Sequence, residues 1–369
     1  MGAFRIGYKV LQDYLTKLVA RFGASYADAQ VVAEVLVEGA LREEREYGVG
    51  LLERFYQLWQ VHRLDPVASM EVTYQMPSTA TLNAGGGFGP VAAKKAMMLA
   101  VEKARTTGVA WVAVANSNPF GLASYYARLA AEQGMLGFAM SNSAPVLAAY
   151  NSAQRTLGAN PIAIAMPGQG RSVVVELNTG SMSFQQVQAK AERGQQLSEG
   201  VLRDVMGQPT TDPATLMRGG ALLPFGSSLH ETAYMGYGFA CIVDLLCGVL
   251  GGASFGPYVP PTEAYMPLPA QEKGHGFGHL LGAVRMDGFQ SGSRSAGAVN
   301  SWCETIQASK GIQGTSGVSI PGEHQEAIRQ RNQKEGLLLE EEDLLQLDRI
   351  AAELQVEPLE RSTALSALP

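Results

Sequence analysis

The stretch V-A-W-V-A-V-A-N-S-N-P-F-G-L-A-S-Y-Y-A-R-L-A-A-E-Q-G-M-L-G-F-A-M, residues 109–140, decides the fold class. Its first apolar run predicts a buried strand, and the segment that begins at Tyr125 has the apolar spacing of a helix. A second strand-like run starts at Met135. Strands that alternate with helices in this way indicate an α/β protein.

The flanking sequence extends this pattern in both directions. Further strands are predicted in P-I-A-I-A-M-P and S-V-V-V-E-L, before residue 180, and in M-E-V-T-Y-Q and T-A-T-L-N-A upstream. Residues 10–62 contain three amphipathic helical patterns, and the charged segment from Gly322 onward also reads as helical. Residues 255–275 are rich in proline and glycine and predict a long loop.

Composition limits the kinds of partner. Of 369 residues, 46% are hydrophobic and 17% are charged, which is typical of a globular chain of about two domains. The net charge of −6 and the absence of a basic block disfavour nucleic acid and anionic membranes as partners. The longest apolar run, residues 236–253, carries Asp244 and predicts a buried core helix rather than a membrane span. Without a signal-peptide pattern, the expected location is the cytoplasm.

Few residues suggest a metal or a nucleophile. The three cysteines have no zinc or disulfide spacing and are expected to be buried apolar side chains. His275 and His279 are four apart but lack a third ligand, so no metal is expected. Either could instead serve packing or reach a cleft as an acid. Asp244 must find a partner if it is buried.

A glycine-rich turn, G-G-G-F-G-P at residues 85–90, precedes a predicted helix. Such a turn can hold phosphate at a helix N-terminus. Its spacing is not G-x-G-x-x-G, because Pro90 stands at the last position, so a purely structural turn is the other interpretation.

Several short motifs occur in one order along the chain. They are L-R-x-x-x-x-Y-G-V (41–49), N-S-N-x-F-G (116–121), S-N-S-A-P-V (141–146), L-G-A-N-P-I-A (157–163), G-Q-P-T-T-D-P (207–213), L-L-P-F-G (222–226), G-Y-G-F-A (236–240) and I-P-G-E (320–323). In this order they resemble the type-2 malate/L-lactate dehydrogenase family. Its relatives include ureidoglycolate dehydrogenase, diketogulonate reductase and piperideine-carboxylate reductase.

The resemblance implies a fold, a cofactor and an assembly. The fold would be α/β and non-Rossmann, with a helical part from both chain ends, residues 1–72 and 318–369. Residues 73–317 would form a mixed-sheet α/β domain that contains the cleft. The cofactor would be NADH or NADPH, the substrate a small 2-oxo or imino acid, and the protein a homodimer.

The residues that differ from the family pattern stand at positions that the resemblance assigns to catalysis, substrate binding or cofactor binding. Tyr47 and Pro119 stand where the family has two catalytic histidines, and Leu51 stands where it has an arginine for the substrate carboxylate. Met235 replaces a lysine, and the family's D-M-x-x-S strand end is Glu176–Gly180 here. The framework glycines and prolines remain.

These positions define the expected site. The catalytic candidates are neutral donors: Tyr47, Asn118 and Asn142. The predicted substrate pocket comprises Leu51, Pro119, Phe120, Tyr125 and Asn160. The predicted cofactor-binding residues are Glu176, Asn178, Thr179, Gly180, Met235 and Gly236.

The lost groups have chemical consequences. A placed acid contributes on the order of 10²–10⁴-fold to a reduction, and tyrosine, with an ordinary pKa of about 10, needs a neighbouring cation to act as one. Leu51 offers a substrate carboxylate neither a charge nor a hydrogen-bond donor. Three functions stay open: a reductase for a neutral or larger imine, enone or ketone in specialised biosynthesis, a non-redox cyclase or isomerase in the old cleft, and a non-catalytic binding subunit that has lost the cofactor.

Overall fold

The computed structural model describes residues 4–227 and 233–361. The helices in this part are α1 (Tyr8–Arg21), α2 (Tyr26–Leu41), α3 (Val49–Gln60), α4 (Gly89–Thr107), α5 (Ala123–Glu132), α6 (Phe184–Glu192), α7 (Ala214–Met217), α8 (Ala233–Asp244), α9 (Gly292–Gln307), α10 (Glu323–Glu335) and α11 (Glu341–Glu353). The strands are β1 (Phe4–Ile6), β2 (Glu71–Gln75), β3 (Thr79–Asn83), β4 (Val109–Ser117), β5 (Met135–Ser141), β6 (Leu147–Ala148), β7 (Arg155–Leu157), β8 (Ile162–Pro167), β9 (Ser172–Leu177), β10 (Leu202–Arg203), β11 (Pro209–Thr210), β12 (Ala221–Leu222), β13 (Phe277–Arg285) and β14 (Leu337–Leu339).

The two chain ends build one helical part. Helices α1, α2, α3 and α11 share a core in which Leu11, Leu36, Phe55 and Leu347 are fully buried. Strand β1 pairs antiparallel with β14, which ties residues 4–6 to the segment between α10 and α11. Each fully buried leucine contributes roughly 1.5–3 kcal/mol, so the helical part depends on residues from both ends of the sequence.

The central α/β part is a seven-stranded sheet in the order β2-β3-β4-β13-β5-β8-β9. Only β3 and β4 pair in parallel, and β13 runs antiparallel between β4 and β5. Helices α4 and α5 cover one face, and their many alanines let them approach the sheet residues Val112, Val114 and Leu281. The predicted mixed-sheet α/β fold, with a helical part from both chain ends, is confirmed. The exact boundaries at residues 72 and 318 stay a prediction.

A second sheet has five strands in the order β11-β10-β12-β6-β7. Most of its strands have two residues, which is too short to show any alternation in the sequence. The sequence pattern did not predict this sheet, nor β14 within the helical C-terminal segment.

Helix α8 corrects one expectation, because the segment predicted to be a buried core helix is only half covered. Its inner face is buried at Ala240 and Val243, whereas Met235, Phe239 and Ile242 are 46%, 45% and 46% exposed. The segment is apolar on all sides, so the sequence did not reveal which face meets the protein. Within the described residues, no helix is both long and apolar enough to cross a membrane.

A buried ion network connects the two parts of the molecule. Glu38 on α2 accepts hydrogen bonds from Arg42 and Arg329, and the Arg128 guanidinium of α5 lies 3.5 Å from the same carboxylate. Burial alone would raise the pKa of Glu38, but the three guanidinium groups lower it below its ordinary value. Glu38 is therefore a charged anchor between α2, α5 and α10.

Candidate functional site

A cleft of about 1880 Å³ is lined by the turn after α2, by α3, by the end of β9 with the residues that follow it, and by the start of α10. This volume exceeds the roughly 300–1,000 Å³ of common small-ligand sites. Four of the predicted site residues line it together: Tyr47, Glu176, Asn178 and Gly180. The cleft is the candidate functional site.

Tyr47 ends a 3-10 turn, Arg45–Tyr47, that is packed against α2. A Cβ on Gly39 would lie 2.6 Å from the Tyr47 carbonyl group, so only glycine permits this close approach. The Tyr47 side chain hydrogen-bonds to that of Asn178. Burial, and then the charges of Glu46, Glu176 and Glu44, raise the pKa of Tyr47 far above its ordinary value. Tyr47 is therefore a neutral hydrogen-bonding group at any ordinary pH.

Glu176 is held from two sides. The N–H of Ser124, in the first turn of α5, donates to Glu176 Oε1 at 3.1 Å, and the Ser124 hydroxyl donates to the other oxygen. Arg42 lies 3.6 Å from that second oxygen. A carboxylate at a helix N-terminus satisfies free N–H groups and the helix dipole. Glu176 therefore has a structural role in α5 while it faces the cleft.

Two further carboxylates surround Tyr47. Glu46 lies near Arg54 and hydrogen-bonds to Ser183, although its burial raises its pKa. Burial, followed by repulsion from Glu176, raises the pKa of Glu44 to about 7. Glu44 was not among the predicted site residues, and the only sequence signal was the charged run E-E-R-E immediately before Tyr47.

The predicted asparagines Asn118, Asn142 and Asn160 do not line this cleft, and each is at least 95% buried. Asn118 Nδ2 donates to the carbonyls of Gly86 and Gly87, at 2.7 and 3.1 Å. This contact locks the glycine-rich turn before α4, which supports the structural interpretation of that turn.

The other two amides join separate segments. Asn142 donates to the Ser254 carbonyl at 2.6 Å and accepts from the Gly278 N–H at 2.9 Å. Asn160 accepts from the Ser143 N–H at 3.0 Å and donates to the Ala240 carbonyl at 2.9 Å. Their hydrogen-bonding groups are used within the protein, so the structure places them as framework residues.

His279 is fully buried beside Asn118. Its Nε2 lies 2.9 Å from Ser117 Oγ and its Nδ1 lies 2.7 Å from Ser141 Oγ. The ring stacks on Phe120 at 4.6 Å. Burial lowers the pKa of His279 to about 3, so the ring is neutral. His279 does not reach the cleft as an acid. His230 lies outside the described residues.

The remaining predicted residues lie in other places. Leu51 is 2% exposed, packs in the helical core and contacts the region of Gly121 rather than the cleft. Phe120 and Tyr125 are buried in the α/β core, and Pro119 is half-buried at the end of β4. Thr179 is fully buried, with its hydroxyl donating to the Ala159 carbonyl at 2.9 Å.

Two predicted cofactor residues belong to α8. Gly236 is buried where a Cβ would lie 2.4 Å from the Phe225 carbonyl oxygen, and Met235 is exposed. Neither lines the cleft. Nearby, Asp244 is buried and accepts from the Gly256 N–H at 2.8 Å. Among the described residues, no group of three or more His, Cys, Asp or Glu side chains could hold a metal ion.

Comparisons with known proteins give the class. The family model described as malate/L-lactate dehydrogenase matches residues 6–348. The chain is 31% identical over 357 residues to the malate dehydrogenase of Pyrococcus abyssi, covering 96% of each chain. It is 32% identical over 252 residues, 68% of this chain and 72% of the relative, to the Δ1-pyrroline-2-carboxylate/Δ1-piperideine-2-carboxylate reductase of Pseudomonas putida. The solved sulfolactate dehydrogenase of Methanocaldococcus jannaschii superposes with a TM-score of 0.86 at 29% identity, over 96% of this chain and 98% of that one.

The family model and the matches to the Pyrococcus and Methanocaldococcus proteins cover nearly the whole sequence, and the solved structure has the same architecture. The chain therefore belongs to the malate/L-lactate dehydrogenase family. It is a member of an oxidoreductase family, and its fold is that of the family's dehydrogenases.

Proposed function

We propose that this protein is an NADH- or NADPH-dependent reductase of a neutral or larger imine, enone or ketone, as in a specialised biosynthetic pathway. The observation that carries this proposal is the Tyr47 end of the cleft. There a tyrosine hydroxyl bonded to Asn178 lies among the carboxylates of Glu44, Glu46 and Glu176. No guanidinium comes from position 51, because that residue is a buried leucine.

The charge around Tyr47 supports the substrate class. Each of the three carboxylates raises the pKa of Tyr47, and Arg42 and Arg54 already lie beside two of them, Glu176 and Glu46. A 2-oxo acid would bring a fourth carboxylate into this region, where position 51 supplies no arginine to receive it. A neutral ketone, or an imine that gains a proton, needs no such arginine.

The residues of the cleft fit a nicotinamide cofactor. Arg171 and Arg193 both line the cleft, where their guanidinium groups can attract phosphate groups. At Gly180 a Cβ would lie 3.1 Å from the Met182 carbonyl oxygen, so a larger residue would alter the cleft wall. When bound, the reduced nicotinamide would supply hydride. The protein would bind it through this wall and orient the substrate through Tyr47 and Asn178.

A homodimer is the proposed assembly. The exposed apolar face of α8, with Met235, Phe239 and Ile242, is the kind of surface that association covers. We expect a mass of twice 39.2 kDa by light scattering, and a Phe239→Glu variant should shift the protein toward a single chain. A wild-type protein with the mass of a single chain would contradict this assembly.

The test of function compares two substrates that share the same ring, of which only one carries a carboxylate. Binding of NADH and NADPH is measured first by calorimetry. Oxidation of the bound cofactor is then followed with 1-piperideine and with 1-piperideine-2-carboxylate. The proposal predicts cofactor binding and faster turnover of the carboxylate-free ring. Absence of binding to either cofactor would refute the reductase and favour a non-redox or non-catalytic role. Preference for the carboxylate would refute the substrate class.

A further inference from the structure

The proposed reduction of a ketone requires a proton, and the side chains expected to supply it are absent or inaccessible. Pro119 has no proton to give, and His279 is enclosed with both ring nitrogens bonded to serines. Tyr47 lines the cleft, but its burial and the surrounding carboxylates make its ionised form very unfavourable. A proton donor that belongs to the protein must therefore be another side chain on the cleft wall.

Glu44 is placed by its backbone. Its N–H donates to the Gly39 carbonyl at 3.0 Å, and its own carbonyl accepts from the Tyr47 N–H at 2.9 Å. These two bonds fix Glu44 and Tyr47 in one tight turn at the end of α2. The side chain of Glu44 lines the cleft beside Tyr47 and is only partly exposed to solvent.

Glu44 differs from the other two carboxylates in its partners. Glu176 accepts a hydrogen bond from Ser124 and lies near Arg42, and Glu46 is hydrogen-bonded to Ser183. Within residues 4–227 and 233–361, no side chain forms a hydrogen bond or a close ion pair with the Glu44 carboxyl group, although the charge of Arg42 is near enough to oppose the rise in its pKa. It is therefore the carboxyl group in this cluster that is free to contact a bound molecule.

We propose that Glu44 is the proton donor of this cleft, a catalytic residue that takes the place of the missing histidines. This inference rests on the reductase function proposed above. In the step, the carbonyl carbon receives hydride from the reduced nicotinamide cofactor, and the carbonyl oxygen receives the proton of the Glu44 carboxyl group. The products are an alcohol, the oxidised cofactor and the Glu44 carboxylate, which regains a proton from water through the open cleft.

The electrostatics of the cleft agree with this role. Burial and the nearby charge of Glu176 raise the pKa of Glu44 to about 7 against the opposing charge of Arg42, so a large fraction of the group carries a proton at neutral pH. A donor is most effective when its pKa lies near the working pH. The Tyr47 hydroxyl, bonded to Asn178, would orient the carbonyl oxygen without giving up its own proton.

The first experiment needs no turnover. Carbon-13 NMR of protein labelled at the glutamate carboxyl carbons is recorded from pH 4 to 9, and the Glu44 signal is assigned by its loss in Glu44→Gln. A titration midpoint near 7 is expected. A midpoint below 5 would overturn the proposal, whatever the cofactor result.

The second experiment compares two substrates of the full-length protein with NADPH. Cyclohexanone needs a proton from the protein, whereas 1-piperideine gains its proton from water. Glu44→Gln should lower kcat for cyclohexanone by roughly 10²–10⁴-fold and remove the high-pH limb near pH 7, with much less effect on 1-piperideine. Glu44→Asp should restore part of the activity. Glu71→Gln, at an exposed position on β2, is the matched control and should leave both rates unchanged.

Other outcomes separate the two proposals. If NADPH binds and both substrates lose activity equally in Glu44→Gln, or neither does, Glu44 is not the donor and the reductase function stands. If His324→Gln, at the exposed start of α10 on the same cleft, removes the pH limb instead, His324 is the donor. If no cofactor binds, the calorimetry refutes the reductase function and this inference with it.

Discussion

The ends of β4 and β5 and the Tyr47 end of the cleft both carry residues from the family's motifs, yet they differ in how far their polar groups are satisfied. At the strand ends, Asn118, Asn142 and His279 are buried, and the structure supplies a partner for each. In the cleft, Glu44 is partly exposed and has no hydrogen-bond partner among the described residues, and burial and the charge of Glu176 raise its pKa to about 7. Satisfied buried groups fix geometry, whereas an unsatisfied titratable group remains available for chemistry.

The largest expected loss of stability follows from a substitution at the ends of β4 and β5. Asn142→Leu would leave the Gly278 N–H and the Ser254 carbonyl without their partner in a buried region. Unpaired buried groups cost roughly 1–3 kcal/mol each, so the free energy of unfolding should fall by about 3 kcal/mol. Urea denaturation with an unchanged m-value measures this. A loss below about 0.5 kcal/mol would show that Asn142 faces the solvent of a site, as the sequence suggested.

A smaller effect, dependent on pH, is expected at His279. Its folded pKa lies below its ordinary value, so its contribution to stability is complete above about pH 6.5 and is lost as the pH falls toward 3. His279→Gln should destabilise the protein by about 2 kcal/mol at pH 7 and remove much of the decline between pH 7 and 4. Denaturation curves at both pH values test this. If the wild type and the variant decline in parallel, the buried-neutral assignment fails.

In the cleft, the contribution of Glu44 to stability should change with pH in the opposite direction to that of His279. The folded pKa of Glu44 is raised, so its contribution is favourable at low pH and is lost as the pH rises through about 7. Glu44→Gln removes the cost of the charged form, and it should raise the free energy of unfolding at pH 8 by about 1 kcal/mol. At pH 5 little change is expected. Thermal unfolding at the two pH values, with Glu71→Gln as the reference, tests the difference.

The smallest loss of stability is expected from a substitution of Tyr47. Tyr47→Phe removes its hydrogen bond to Asn178, but water in the open cleft can replace the lost partner. A loss of about 0.5 kcal/mol is expected by chemical denaturation. A loss above about 2 kcal/mol would mean that Tyr47 is a framework residue like Asn142 and would remove the contrast between the two regions.

Much of the fold could be predicted because its signals are local. The apolar runs that form β4 and β5, and the helical periodicity of α5, are complete within short windows. The half-covered face of α8 could not be predicted, because its residues are apolar on every side and only tertiary packing selects the inner face. The two-residue strands of the small sheet have no periodicity to detect.

The site was harder to predict for a different reason. Matching motifs placed Tyr47, Glu176, Asn178 and Gly180 in one cleft, although more than 100 residues separate Tyr47 from the others in the sequence. The same matching could not show that Asn118, Asn142 and Asn160 are occupied by backbone partners. It also missed Glu44, because its chemistry depends on charges brought near it by folding rather than on its neighbours in sequence.

We propose that the Tyr47 cleft binds a nicotinamide cofactor beside neutral donors and one partly protonated carboxyl group. A crystal structure of the protein with NADPH tests it most directly. We expect the nicotinamide ring near Tyr47 and Asn178, with the Glu44 carboxyl group facing the substrate side of the ring. A dinucleotide bound with its nicotinamide elsewhere, or a cleft that stays empty at saturating NADPH, would contradict it.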